Sequence, residues 1–219
     1  MIIFGHGYQT SIGYYDYLWQ AIVPQGYLMV LSDTQNALVW NFNDFGLDLA
    51  FLADQMQAED ANPASLFYGR IDAATAIMGH SMGGGATFIA GQLNPRITTV
   101  VGLAPSAVDS GVIDAAAQAQ AACLVLAGSE DCIVPASSHA PPIYNAVPVS
   151  PKYYAQITEG SHCAFAQDAR LCEIAEWGMC PFPDFLTDST QRALTLLFVQ
   201  PWLDATLKGR SDAGGAVLE

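Results

Sequence analysis

The sequence predicts an α/β protein, a mostly parallel sheet of about six strands with helices on both faces. Three observations predict it. Short apolar runs alternate with longer segments of helical period. Gly and Pro punctuate the junctions, at Pro24-Gln25-Gly26, Asn94-Pro95 and Ala104-Pro105. No repeat with a period of roughly 20–50 residues and no low-complexity linker divides the 219 residues. They read as one domain, 1–219, with about 208–219 expected as a flexible tail.

In chain order, the first strand is 1–4, an apolar run that meets Gly5-His6-Gly7. A helix follows over 14–23, then a strand over 28–32, Leu-Met-Val-Leu-Ser. The segment 44–60 has helical period, with Leu47, Phe51, Asp54 and Ala58 spaced around it and acids on the opposite face. Strand 74–79 runs directly into a helix over 82–93. Strands 98–103, 122–127 and 152–157 complete the sheet, with helices over 137–146 and near 189–207.

Composition narrows the function. Hydrophobic residues make up 52% and charged residues 13%, so the chain can offset its ordering entropy and is not disordered. Seven Lys and Arg against 21 Asp and Glu leave a net charge of −14. The first cation is Arg70, so the clustered positive charge that nucleic acid requires is missing. No basic segment precedes Ile2-Ile3-Phe4, as a secretory signal would need. The longest apolar run, Leu194 to Leu203, is broken by Gln200 and Pro201 and is too short to span a bilayer. The expectation is a soluble chain, mature or truncated.

Five cysteines occur, none in a CxxC pair, and His6, His80, His139 and His162 show no HExxH spacing, so a structural zinc site is not expected. Cys123 lies in the apolar run 123–126 and reads as a buried, inert thiol. Cys132, Cys163, Cys172 and Cys180 fall in loop-like sequence and imply two disulfides, hence an oxidising compartment and secretion.

The chemistry is concentrated after strand 74–79. Gly79-His80-Ser81-Met82-Gly83 is a G-x-S-x-G pattern between strand and helix, the context of a nucleophile elbow. A serine on so sharp a turn is backbone-strained, so the positions two before and two after must lack side chains, and both are glycine. A phosphate-binding loop does not fit, since no Lys-Ser/Thr follows the glycines. A serine hydroxyl needs a base, and the base an orienting acid, in the chain order Ser, Asp or Glu, His. Asp131 follows strand 122–127 and His162 follows strand 152–157, 50 and 81 residues after Ser81. Glu130 remains open as the acid at this stage, and His139 reads as structural or surface. The amide of Met82 is one candidate oxyanion donor and that of Tyr8, after His6-Gly7, the second.

The run Gly79–Gly85, with Gly7-Tyr8, Ala140-Pro141-Pro142-Ile143-Tyr144 and Gly160-Ser161-His162, resembles the α/β-hydrolase superfamily. Within it the chain is most similar to the cutinase and polyester (PET) hydrolase branch, with dienelactone-hydrolase and chlorophyllase-type esterases behind. The resemblance covers about residues 1–203 and implies a serine carboxylic-ester hydrolase with an acyl-enzyme and no cofactor or metal. It implies a substrate site that includes His80, Val108 and Ile133, in an open cleft without a long lid. Val108 stands where the branch usually has an aromatic residue, which implies acyl chains over aromatic diacids. Some members tie the acid loop to the histidine loop, which implies the pairs Cys132–Cys163 and Cys172–Cys180. Members usually carry two further strands before the one that Met1 begins. Strand 28–32 is therefore expected as a bare edge through which a homodimer could pair. An acyltransferase or cofactor-free perhydrolase on the same fold, or a catalytically weak binding protein, are the competing expectations.

Overall fold

The computed structural model describes residues 1–35, 41–181 and 184–210. Among them a six-stranded sheet forms, β1 (Ile2–Gly5), β2 (Met29–Ser32), β3 (Ala76–His80), β4 (Thr99–Leu103), β5 (Ala122–Gly128) and β6 (Lys152–Ile157). The strand order is β2-β1-β3-β4-β5-β6, and every neighbouring pair is parallel. Parallel strands are covered on both faces, which is why β1, β3 and β4, apart from the terminal His80 and Thr99, are apolar without alternation and wholly buried.

Successive side chains still point to opposite faces. Ile3, Ile77, Val100, Cys123 and Val125 pack under α2 (Phe42–Ala61), α3 (Met82–Leu93), α4 (Gly111–Ala116) and α5 (Ala136–Ala146). Ile2, Phe4, Met78, Val101, Leu124 and Leu126 pack under α1 (Asp16–Ile22) and α7 (Asp188–Lys208). On that second face the buried Trp202 donates its indole N–H to Thr99 Oγ1 at 2.8 Å, so its one polar atom is not stranded in the core. Asn41 caps α2 by accepting from the amides of Asn43 and Asp44, and Thr187 caps α7 through the amide of Thr190.

The expected strands and five expected helices are present within a few residues, and β2 lies at the edge of the sheet as expected. Two helices were not expected, α4 and α6 (Arg170–Met179). The α2 stripe also differs. Phe42, Phe45, Leu49 and Ala53 face the core while Leu47 and Phe51 are exposed, because the core-facing row begins at the residue after the Asn41 cap. Of the expected tail, α7 takes in Lys208 and closes on the left-handed Gly209, and residues 211–219 lie outside the described residues.

The order 2-1-3-4-5-6 reverses between β1 and β3. A crevice opens at the carboxyl ends of an α/β sheet at such a reversal. The loops after β1 and β3 border it.

Candidate active site

Ser81 lies between the last residue of β3 and the first of α3, with φ 56° and ψ −116°. A positive φ at a residue with a side chain is strained and persists only where the surroundings enforce it. Here the amide of Ser81 donates to the Leu103 carbonyl (2.9 Å), and its carbonyl accepts from Gly85 and Ser106 (3.0 Å each). A Cβ on Gly79 would overlap the Gly83 backbone, and one on Gly83 would overlap the Gly5 carbonyl. The two glycines therefore let the elbow and the first strand pack at backbone distance.

The loops after β5 and β6 bring two further side chains to this serine. His162 Nε2 is 2.9 Å from Ser81 Oγ, and its Nδ1 is 2.7 Å from Asp131 Oδ2. Asp131 spends its other oxygen on the amides of Ile133 (3.0 Å) and Val134 (2.6 Å), so the carboxylate is fixed in orientation and buried. It is Asp131 and not the exposed Glu130 that meets the imidazole. Because Asp131 accepts at Nδ1, the imidazole carries its proton there and leaves Nε2 to accept from the serine hydroxyl. Burial disfavours the imidazolium of His162, but the charge and hydrogen bond of Asp131, with Glu176 adding to them, raise its pKa above the ordinary value.

A second network ties the β1 loop to His162. The buried ring of His80 lies between Tyr15 and His162. Its Nε2 donates to the His162 carbonyl (3.2 Å), since a carbonyl only accepts. Burial, and then the proximity of His162, hold the His80 pKa well below the ordinary value, so the ring is neutral. Its bare Nδ1 therefore accepts from the Tyr15 hydroxyl (2.9 Å), which itself accepts from the amide of Gly7 (2.9 Å). Thr10 closes the loop by donating to the Gly7 carbonyl (2.7 Å).

The cleft above Ser81 has a volume of about 320 Å³ and is walled by Tyr8, Tyr14, Ile133, Leu171 and Ala175, among others. Ile133 is in the wall as expected. His80 reaches the wall, but both its nitrogens are engaged, so it supports the site rather than presenting a free polar group. Val108 is 63% exposed on the loop before α4 and is not among the residues that line this cleft; beside it the Ala107 amide donates to His139 Nδ1 (3.1 Å). The cleft is also less open than expected, since α6 forms one wall through Leu171, Cys172 and Ala175.

The disulfide pairing is a correction. The same four cysteines are bonded, but as Cys132–Cys180 and Cys163–Cys172, with Cys123 free and buried. The reason is α6. Eight residues along a helix separate Cys172 and Cys180 by about 12 Å, beyond the roughly 7 Å that a disulfide can bridge. Cys172 lies in the first turn of the helix and Cys180 caps its end, and each bonds to a different loop.

Residues 1–201 match the model of a family described as PET hydrolase-like. The chain belongs to the PET hydrolase-like family. It is 28% identical over 186 residues to bis(hydroxyethyl) terephthalate hydrolase from Streptomyces coelicolor, covering 84% of this chain and 55% of that protein. It is 30% identical over 160 residues to cutinase est1 from Thermobifida alba (72% and 50%), and 29% identical over 160 residues to cutinase 2 from Thermobifida cellulosilytica (72% and 57%). This PET hydrolase-like chain thus spans about half the length of the curated relatives it matches. Among the described residues of this family member, no helix is long and apolar enough to cross a membrane.

Proposed function

We propose that this chain is a serine carboxylic-ester hydrolase for hydrophobic esters, with Ser81 as nucleophile, His162 as base and Asp131 as orienting acid. The observation that carries the reading is the unbroken line Asp131 Oδ2, His162 Nδ1, His162 Nε2, Ser81 Oγ opening into an apolar cleft. His162 takes the hydroxyl proton as Ser81 attacks the ester carbonyl, and Asp131 stabilises the imidazolium that results. The amides of Met82, at the positive end of α3, and Tyr8, in the loop after β1, receive the oxyanion. The imidazolium returns its proton to the leaving alcohol, leaving an acyl group on Ser81. Water, deprotonated by the same His162, then releases the acid.

The apolar wall favours acyl chains or apolar diesters over charged substrates, and the names of the relatives extend the range to small terephthalate diesters and cutin-like polyesters. Secretion accords with the two disulfides. The test is a diethyl p-nitrophenyl phosphate reaction followed by peptide mapping. A single adduct on Ser81, with release of one equivalent of p-nitrophenol, supports the reading. An unmodified Ser81 refutes it.

A further inference from the structure

The helix α6 is inside out. Leu171, Ile174, Trp177 and Met179 face solvent, while Glu176 is the one residue of the helix that is buried, 1% exposed. A buried carboxylate without partners is unfavourable, and this one is fully used. Its Oε1 accepts from the amide of His162 at 2.5 Å and its Oε2 from the amide of Cys163 at 3.0 Å. Each amide meets its own carboxylate oxygen, an arrangement that a carboxamide could keep only by turning an N–H toward one of the two.

The surroundings show what is being held. Gln191 grips Ser161 at both its amide and its carbonyl, 2.8 Å each. Glu176 takes the amide of His162, and His80 takes its carbonyl. The helix that carries Glu176 is bonded through Cys172 to Cys163, which follows the base, and through Cys180 to Cys132, which follows the acid. Both loops that bear proton-handling groups are thereby fixed to the element that supplies this carboxylate.

We propose that Glu176 is a positioning residue for the base: its carboxylate holds the backbone at His162 and supplies a second negative charge to the imidazolium formed during turnover. The role rests on the serine hydrolase reading above. The groups that face His162 are Asp131 from the β5 loop, His80 from the end of β3, His139 from α5 and Glu176 from α6. Of these, Asp131 and Glu176 favour the charged ring. Removing the Glu176 charge therefore lowers the pKa of His162. Burial raises the pKa of Glu176 itself, against the two amide hydrogen bonds and the nearby His162, which lower it.

The experiment compares the wild type with E176Q and E176D, by p-nitrophenyl butyrate turnover across pH and by NMR titration of the His162 ring. In E176Q the carboxamide presents an N–H to one of the two amides and carries no charge. The expected result is a loss of at least about tenfold in kcat, comparable to one hydrogen bond to a charged group, with KM within about twofold. The His162 titration and the acidic limb of the rate profile both move to lower pH in E176Q. E176D keeps the charge at shorter reach and restores part of kcat and most of the titration. A folded E176Q with kcat within twofold of wild type, or with an unmoved His162 titration, overturns the proposal. If E176Q does not fold, E176D decides: an unchanged kcat overturns the proposal and a partial loss without a gain in KM supports it. A wild type without Ser81-dependent turnover refutes the hydrolase reading instead, while the ring titration still reports on Glu176.

Discussion

Cys180, at the end of α6, is bonded to Cys132, the residue after Asp131, and the bond spans 48 residues of chain. Closing a loop of that length removes roughly 4 kcal/mol of chain entropy from the unfolded state, against about 2.6 for the nine-residue Cys163–Cys172 loop. Replacing Cys132 and Cys180 with serine should therefore lower stability more than replacing the other pair, read as the urea midpoint. Non-reducing peptide mapping should recover Cys132 joined to Cys180. A Cys132–Cys163 peptide would contradict the fold around α6.

The raised pKa of His162 has a consequence for rate. A base must be neutral to act, so kcat/KM should rise with pH through an acidic limb above 6.5, the ordinary histidine value. Replacing Asp131 with Asn removes the acceptor and the charge, which should move that limb down and reduce kcat on the order of 10⁴-fold. The same shift stabilises the fold below pH 6.5, and this contribution is lost as pH rises through the folded-state value. His80 works the other way, its contribution being complete above 6.5 and lost on acidification.

Tyr15 joins the loop after β1 to the elbow, so Tyr15→Phe leaves the Gly7 amide and His80 Nδ1 without their partner. Each unmet buried group costs roughly 1–3 kcal/mol. The expected result is a lower Tm together with a lower kcat, because the same loop carries Tyr8, the proposed second oxyanion donor. A variant with unchanged Tm and kcat would mean the link is incidental.

Leu171 stands at the cleft wall, and its replacement by Ser removes apolar surface that an acyl chain would cover. A loss of about tenfold in kcat/KM is expected for octanoyl esters, with little change for acetyl esters. Equal losses for both would place the acyl chain elsewhere.

Much of this was legible in the sequence, for a physical reason. Each parallel strand ends in a loop at the same edge of the sheet, so the residues after 74–79, 122–127 and 152–157 could be assigned to one rim before any distance was known. The elbow announced itself through Gly79 and Gly83, whose absent side chains are a steric requirement. What stayed hidden was α6. Leu171, Ile174 and Ala175 do recur at helical spacing, but the segment lies between cysteines and reads as a loop, and nothing in that spacing shows that its apolar residues face water and its buried residue is a glutamate. Without the helix the cysteine pairs could not be assigned, the cleft looked open, and Glu176 carried no signal. The one clue was two glutamates, Glu173 and Glu176, between two cysteines eight apart. The position of Val108 relative to the cleft was not legible either, since no spacing rule gives the path of the loop before α4.

The most direct measurement is p-nitrophenyl butyrate hydrolysis by the wild type and Ser81→Ala under identical conditions. If Ser81 is the nucleophile, its hydroxyl does work that no neighbour can replace, and the rate should fall on the order of 10⁶-fold with the fold intact by circular dichroism. Equal rates from the two proteins would contradict the account.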